Sequence, residues 1–226
     1  MKLSIYIALL LTTCCCNAFS QNSRLWATYY GSTGVDRAYG IATDASNNVY
    51  LTGYTGGGSG IASGGYQNTF GGGTYDAYLV KFDAAGNRLW ATYYGGTGSE
   101  YGHNVATDAS GNVYLTGYTT ASSANIASGG FQSTYGGGWE AFLVKFNSAG
   151  ARLWATYYGE SGTDVGNSVA TDVSGNVYLA GRTTSANGIA SGGFQNTFGG
   201  GGDAFLVKFS SSGTRLWATY YGGTAF

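Results

Sequence analysis

The octapeptide RLWATYYG begins at Arg24, returns at Arg88 and Arg152, and begins again at Arg215. Its tryptophans, Trp26, Trp90, Trp154 and Trp217, lie 64, 64 and 63 residues apart. A fixed period of this length marks one supersecondary unit written several times, each copy needing its neighbours to bury its apolar faces. Outward from Arg152, the same unit holds three more short runs: HNVATD from His103, NVYLTGYT from Asn112 and AFLVKF from Ala141. All are rich in Val, Thr, Tyr and Phe, which favour strands, and no apolar period of 3.6 residues runs to helix length. The chain has no proline.

Four strands per unit predict an all-β protein of β-propeller-type blades, each four antiparallel strands. Side chains alternate along a strand, so in NVYLTGYT Val113 and Leu115 face one way and Tyr114 and Tyr118 the other. Apolar bulk on both faces fits sheets stacked between neighbours. The tight links DASGN from Asp108, DAAGN from Asp83 and NSAGA from Asn147 read as hairpin turns, their glycine supplying positive φ. A longer glycine-rich loop joins the second and third strands and emerges, with the connection GGTGSEYG from Gly95, on the opposite edge. The expected domain spans 21–226, with repeats at about 24–87, 88–151 and 152–214 and a partial fourth at 215–226. Three full units plus an extra RLWATYYG strand make thirteen strands, with the one at Arg24 surplus. Known propellers use about four to eight blades, so the expected form is an incomplete or open propeller.

The three spaced motifs GNVYLTGYT, GGFQSTYGGGWEAFLVKF and RLWATYYGG resemble the β-propeller repeat of bacterial secreted proteins, the SBBP repeat, over nearly all of residues 24–224. The resemblance implies export, a propeller-like fold and placement in large surface proteins; it implies no catalytic residue. FDAAGNRLW is also similar to the tryptophan-docking stretch of quinoprotein propellers.

Composition bounds the function further. Lys2, the apolar run Leu3–Leu11 and the small-residue site Ala18-Phe19-Ser20 read as a secretory signal peptide over 1–20, too short to span a bilayer. Cys14, Cys15 and Cys16 all precede that site, so the exported chain would hold no disulfide. Lipidation of Cys14, giving a lipoprotein, is the rival reading. Only 9% of residues are charged, against about 25% in ordinary soluble domains. No basic patch suggests a nucleic-acid partner.

Candidate sites are few. Asp36, Glu100 and Asp164 fall ten residues after a repeat tryptophan, and Asp76, Glu140 and Asp203 form a second series. They could offer oxygen ligands to calcium, or accept backbone N–H bonds where loops enter strands; the second reading fits two carboxylates per unit better. Asp44, Asp108 and Asp172 open turns with a faint calcium-loop spacing, which turn chemistry explains equally well. His103 is matched by Tyr39 and Asn167 in the other units and reads as a solvated loop residue without a catalytic partner. Tyr66, Phe131 and Phe194, each followed by Gln67, Gln132 or Gln195, read as plugs packing each long loop on its own blade. Phe131, Gln132, Trp139 and Glu140 are the candidate ligand contacts, since Trp139 alone breaks the repeat. The reading is of a non-enzymatic exported scaffold or recognition module without a required cofactor. A glycan or protein ligand, and self-association or further blades, are the expected partners.

Overall fold

A computed structural model describes residues 24–224; the segment 1–20 read as a leader, with Cys14, lies outside the described residues. It is all-β, with twelve strands in three separate four-stranded antiparallel sheets. Blade 1 comprises β1 (Asp36–Thr43), β2 (Val49–Thr55), β3 (Asp76–Phe82) and β4 (Arg88–Tyr94). Blade 2 comprises β5 (Glu100–Thr107), β6 (Val113–Thr119), β7 (Glu140–Phe146) and β8 (Arg152–Tyr158). Blade 3 comprises β9 (Asp164–Thr171), β10 (Val177–Thr183), β11 (Asp203–Phe209) and β12 (Arg215–Tyr221). Each is a meander in sequence order, and β5 lies between β1 and β9, making the first strand of each blade the innermost. The arc does not close. The sheets and the sequence repeat differ in phase, because the RLWATYY segment that opens each later sequence unit is the outer strand of the preceding blade.

The hairpins follow from their first residue. Asp108 Oδ1 accepts the backbone N–H groups of Ser110 and Asn112, both at 2.9 Å, while Oδ2 accepts Asn112 Nδ2 at 2.8 Å and the Tyr114 hydroxyl at 3.0 Å. Asp44 and Asp172 repeat this set. Their oxygens are thus occupied within the turn, and each also faces a lysine of its own blade, at 3.6 to 3.9 Å. In the first copy Asn47, at φ 60°, takes the left-handed place that glycine holds in the others.

Blades join through the outer strand. The Trp90 indole N–H donates to the Ser148 carbonyl of blade 2 at 3.0 Å, and Trp154 donates likewise to Ser211 of blade 3. Lys81 and Lys145 donate to the same two carbonyls at 3.2 and 3.0 Å. The ring lies flat on the turn glycine: a Cβ on Gly150, at φ 83°, would sit 2.9 Å from the Trp90 ring. Below it, the Tyr94 hydroxyl donates to the Ile126 carbonyl and its ring packs on Phe142 and Phe146. These contacts organise two continuous cores, one per junction.

One sequence expectation changes. The thirteenth strand does not form: Arg24–Tyr30 is irregular and pairs with no strand among the described residues. The long loop is held against its own blade. It runs back along the outer strand of its own blade, Ser128 exchanging two backbone bonds with Ala155 and Gln132 accepting from Tyr157 N, so each outer edge is covered.

Trp90 and Trp154 are 6% and 5% exposed, whereas Trp217 is half-buried. Trp90→Ala is expected to lower the unfolding free energy in denaturant by about 3–5 kcal/mol, the range for truncating a buried tryptophan. Trp217→Ala should cost far less; equal losses would contradict the junction description.

Candidate functional site

The innermost strands carry one extra residue each. The register slips between Ala38 and Gly40 in β1 and between Gly102 and Asn104 in β5, leaving Tyr39 and His103 unpaired in bulges; Asn167 occupies the same place in β9. A bulge re-aims a side chain out of the alternating pattern. The strands can approach closely here because of Gly102, where a Cβ would meet Thr52 Oγ1 at 2.6 Å and the Gly53 carbonyl at 2.7 Å. His103 is half-buried: its Nδ1–H donates to the Gly166 carbonyl at 3.1 Å, which leaves Nε2 as an acceptor. Burial holds its pKa below the usual histidine value. This corrects the solvated-loop reading of His103.

Around these bulges the long-loop edge carries a connected set of rings. Tyr54 meets Tyr75 at 4.7 Å and, across the junction, Tyr101 at 4.9 Å. Tyr101 stacks on Tyr118 at 4.6 Å and 11°, and Tyr118 on Trp139 at 4.9 Å and 16°. His103 touches both Tyr118 and Tyr39, and Tyr39 closes back on Tyr54. Tyr39 is 54% and Trp139 42% exposed, so the set ends in two open rings. In blade 3 the positions of Tyr118 and Trp139 hold Arg182 and Gly202, and the row stops.

Trp139 therefore joins a surface that the sequence reading did not assemble. Part of the signal was available: Tyr54 and Tyr118 share one repeat position and Tyr75 and Trp139 another, but Tyr101 matches Arg37 and Val165, and composition alone does not bring these rings together. Glu140, by contrast, is fully buried beneath the edge, its Oε2 accepting Gly136 N at 2.6 Å and its Oε1 bonded by Gln132 Nε2 at 2.5 Å. Gln132 also donates to the Gly159 carbonyl. Both side chains are engaged within the protein. Phe131 sits under the Arg215 guanidinium at 4.3 Å and near Phe209, and Tyr66 lies under Arg152 at 4.4 Å and near Phe146. These loop rings reach the next blade, and Phe131 also lies 6.3 Å from Tyr158 of its own blade.

The two acidic series meet pairwise at the junctions. Asp76 and Glu100 both point at Gly95, where a Cβ would lie 2.5 Å from Asp76 Oδ1 and 2.6 Å from Glu100 Oε2. Glu100 accepts Gly96 N and the Thr119 hydroxyl; Asp76 Oδ2 accepts Gly71 N, while its Oδ1 is buried without a partner, as are Asp36 Oδ1 and Asp203 Oδ1. At the next junction Asp164 adjoins Gly159, and the Gln132 amide links the Gly159 carbonyl to Glu140; Asp164 accepts Glu160 N and the hydroxyls of Thr183 and Ser185. Among the described residues no three acidic, histidine or cysteine side chains converge as a metal centre would require. Backbone and hydroxyl donors, the partners expected at loop entries, hold most of these oxygens. Burial pushes Asp76 up to about 7, with the neighbouring Glu100 charge adding to the shift. Burial likewise takes Glu140 up to about 7 and raises Glu100.

A family model described as SBBP, a β-propeller repeat, matches residues 25–60, 89–123 and 153–189. An uncharacterized WD repeat-containing protein of Acanthamoeba polyphaga mimivirus is 24% identical over 88% of this chain; the chain spans 16% of that relative's length. A crystal structure of a protein of unknown function from Bacteroides caccae aligns at a TM-score of 0.37 and 11% identity, over 87% of this chain and 70% of the other.

The raised carboxyl groups fix a pH dependence. A carboxyl whose folded pKa exceeds its unfolded value stabilises the fold fully below the unfolded value, near 4, and that contribution is lost as pH rises through about 7. The denaturation midpoint is therefore expected to fall between about pH 4 and pH 8, and Asp76→Asn to flatten that fall and raise the midpoint at pH 8. A steeper fall in the variant would contradict the protonated junction.

Proposed function

Because this chain carries three SBBP β-propeller repeats, we propose that it is an exported, non-enzymatic repeat scaffold presenting a recognition surface for glycans at the inner long-loop edge. The observation that carries this reading is the connected row from Tyr39 to Trp139, open at both ends and shared by two blades. Aromatic faces flanked by hydroxyls and one imidazole acceptor suit sugar rings, which present apolar C–H faces and a polar rim. A rigid β scaffold holds these rings in place before a ligand arrives, which limits the ordering cost of binding.

The non-enzymatic reading rests on chemistry. The junction carboxylates are buried and engaged with backbone donors, and the imidazole of His103 is tied by one nitrogen to a carbonyl with rings around it. General acid–base work needs a titrating group within hydrogen-bond reach of the reacting atom. Export is supported by the leader pattern read over residues 1–20.

The test is a glycan array probed with the purified chain, followed by titration of any glycan retained. Trp139→Ala and Tyr39→Ala are each expected to weaken binding at least tenfold, about 1.4 kcal/mol, with the unfolding midpoint little changed. Phe131→Ala should leave affinity intact and lower stability. Binding that survives loss of Trp139 and Tyr39 would overturn this assignment.

A further inference from the structure

Residues Arg24–Gly31 repeat letter for letter the sequence Arg215–Gly222, and the two segments stand in opposite situations. The first has a docking groove but no ladder. Trp26 donates to the Ala84 carbonyl at 3.1 Å, as Trp90 does to Ser148, and the Tyr30 hydroxyl bonds the Ile61 carbonyl, as Tyr94 bonds Ile126. The Tyr30 ring lies 5.3 and 5.8 Å from Tyr78 and Phe82, matching Tyr94 at 5.1 and 5.9 Å from Phe142 and Phe146. Asp36 accepts Ser32 N as Glu100 accepts Gly96 N. Arg24–Tyr30 thus occupies on blade 1 the place that an outer strand takes on the following blade.

The second segment has a ladder but no groove. β12 pairs with β11 throughout, yet Tyr221 is 73% and Phe194 90% exposed. Among the described residues no acceptor receives the Trp217 indole N–H, and Lys208 reaches only its own blade, at Asp172 and the Tyr178 ring. The β11 burial pattern alternates, while β3 and β7 are buried at every residue.

We infer that copies of this chain join head to tail, β12 of one copy docking on blade 1 of the next and displacing Arg24–Tyr30. The incoming blade offers more than the resident segment does. Lys208 accompanies Trp217 and can share the Ala84 carbonyl, as Lys81 shares Ser148 with Trp90. Phe194 can meet Phe82 and Arg88 as Phe131 meets Phe209 and Arg215. Arg24–Tyr30 carries neither partner. Its advantage is the tether, which gives it a high effective concentration at the groove and keeps the second copy's association weak. Such an interface is heterologous, so it builds a ring or an open row.

Sedimentation velocity on the full chain from about 1 to about 100 µM, the range that populates a weak interface, tests this. One substitution in one octapeptide should act with opposite sign at its two sites. Trp26→Ala, which loosens the resident segment outside every strand, is expected to lower the dissociation constant at least tenfold. Trp217→Ala is expected to raise it at least tenfold, and Phe194→Ala, which lies in a loop, to raise it as a check independent of β12. A monomer at every concentration in both the parent chain and Trp26→Ala would overturn the inference. So would Trp26→Ala and Trp217→Ala moving the constant in the same direction, or association indifferent to Trp217 and Phe194.

Discussion

One backbone carbonyl in each of blades 2 and 3, in the turn before the outer strand, receives an indole N–H and a lysine ammonium from the blade before it. Ser148 and Ser211 play this part at the two internal junctions. A buried carbonyl with two donors, one of them charged, costs free energy when either donor is removed, so the contact holds more firmly than its area suggests. The geometry needs a turn whose glycine offers no side chain above the ring, and it needs the tryptophan on a strand that ends its sheet. Blade spacing, the packing of Tyr94 and Tyr158 beneath the indoles and the burial of β3 and β7 on both faces follow from that fit. A single blade in isolation would leave these faces wet, which is why stability belongs to the junctions rather than to the sheets.

The same constraint shapes the surface. With the outer strands locked, the inner strands are brought close enough that glycine is required at Gly102, and the bulge beside it turns His103 and Tyr39 out of the sheet. The ring row is built from edge positions of two blades. It ends where blade 3 substitutes Arg182 and Gly202, so the repeat supplies the platform and its drift gives the platform an end. Repetition and individuality are separated in space, the first in the junctions and the second at the inner edge.

Much of this was legible in the sequence, for a physical reason. Strand identity, hairpin turns and two-sided burial depend on local composition and on a period visible three times, and those readings match the sheets. What could not be read depends on register and on partners. The bulges at Tyr39 and His103 are slips of one residue between strands, with no mark in composition. Arg24–Tyr30 has the letters of a strand but lacks a ladder, since a strand is defined by its neighbour and no described strand pairs with it. Phe131 and Glu140 looked like ligand contacts because they lie in a long loop. The loop folds back along its own outer strand, placing one under Arg215 and the other in a junction.

If the junctions carry the stability, protection must follow the number of neighbours a blade has. Native-state hydrogen exchange of the backbone amides measures this directly, because each amide reports the free energy of the smallest opening that exposes it. Amides of β6 and β7, covered on both faces, should show the highest opening free energy. Those of β10 and β11 should be the lowest of the three blades, with blade 1, covered in part by Arg24–Tyr30, between them. Equal protection in all three blades, or the highest in blade 3, would contradict the account.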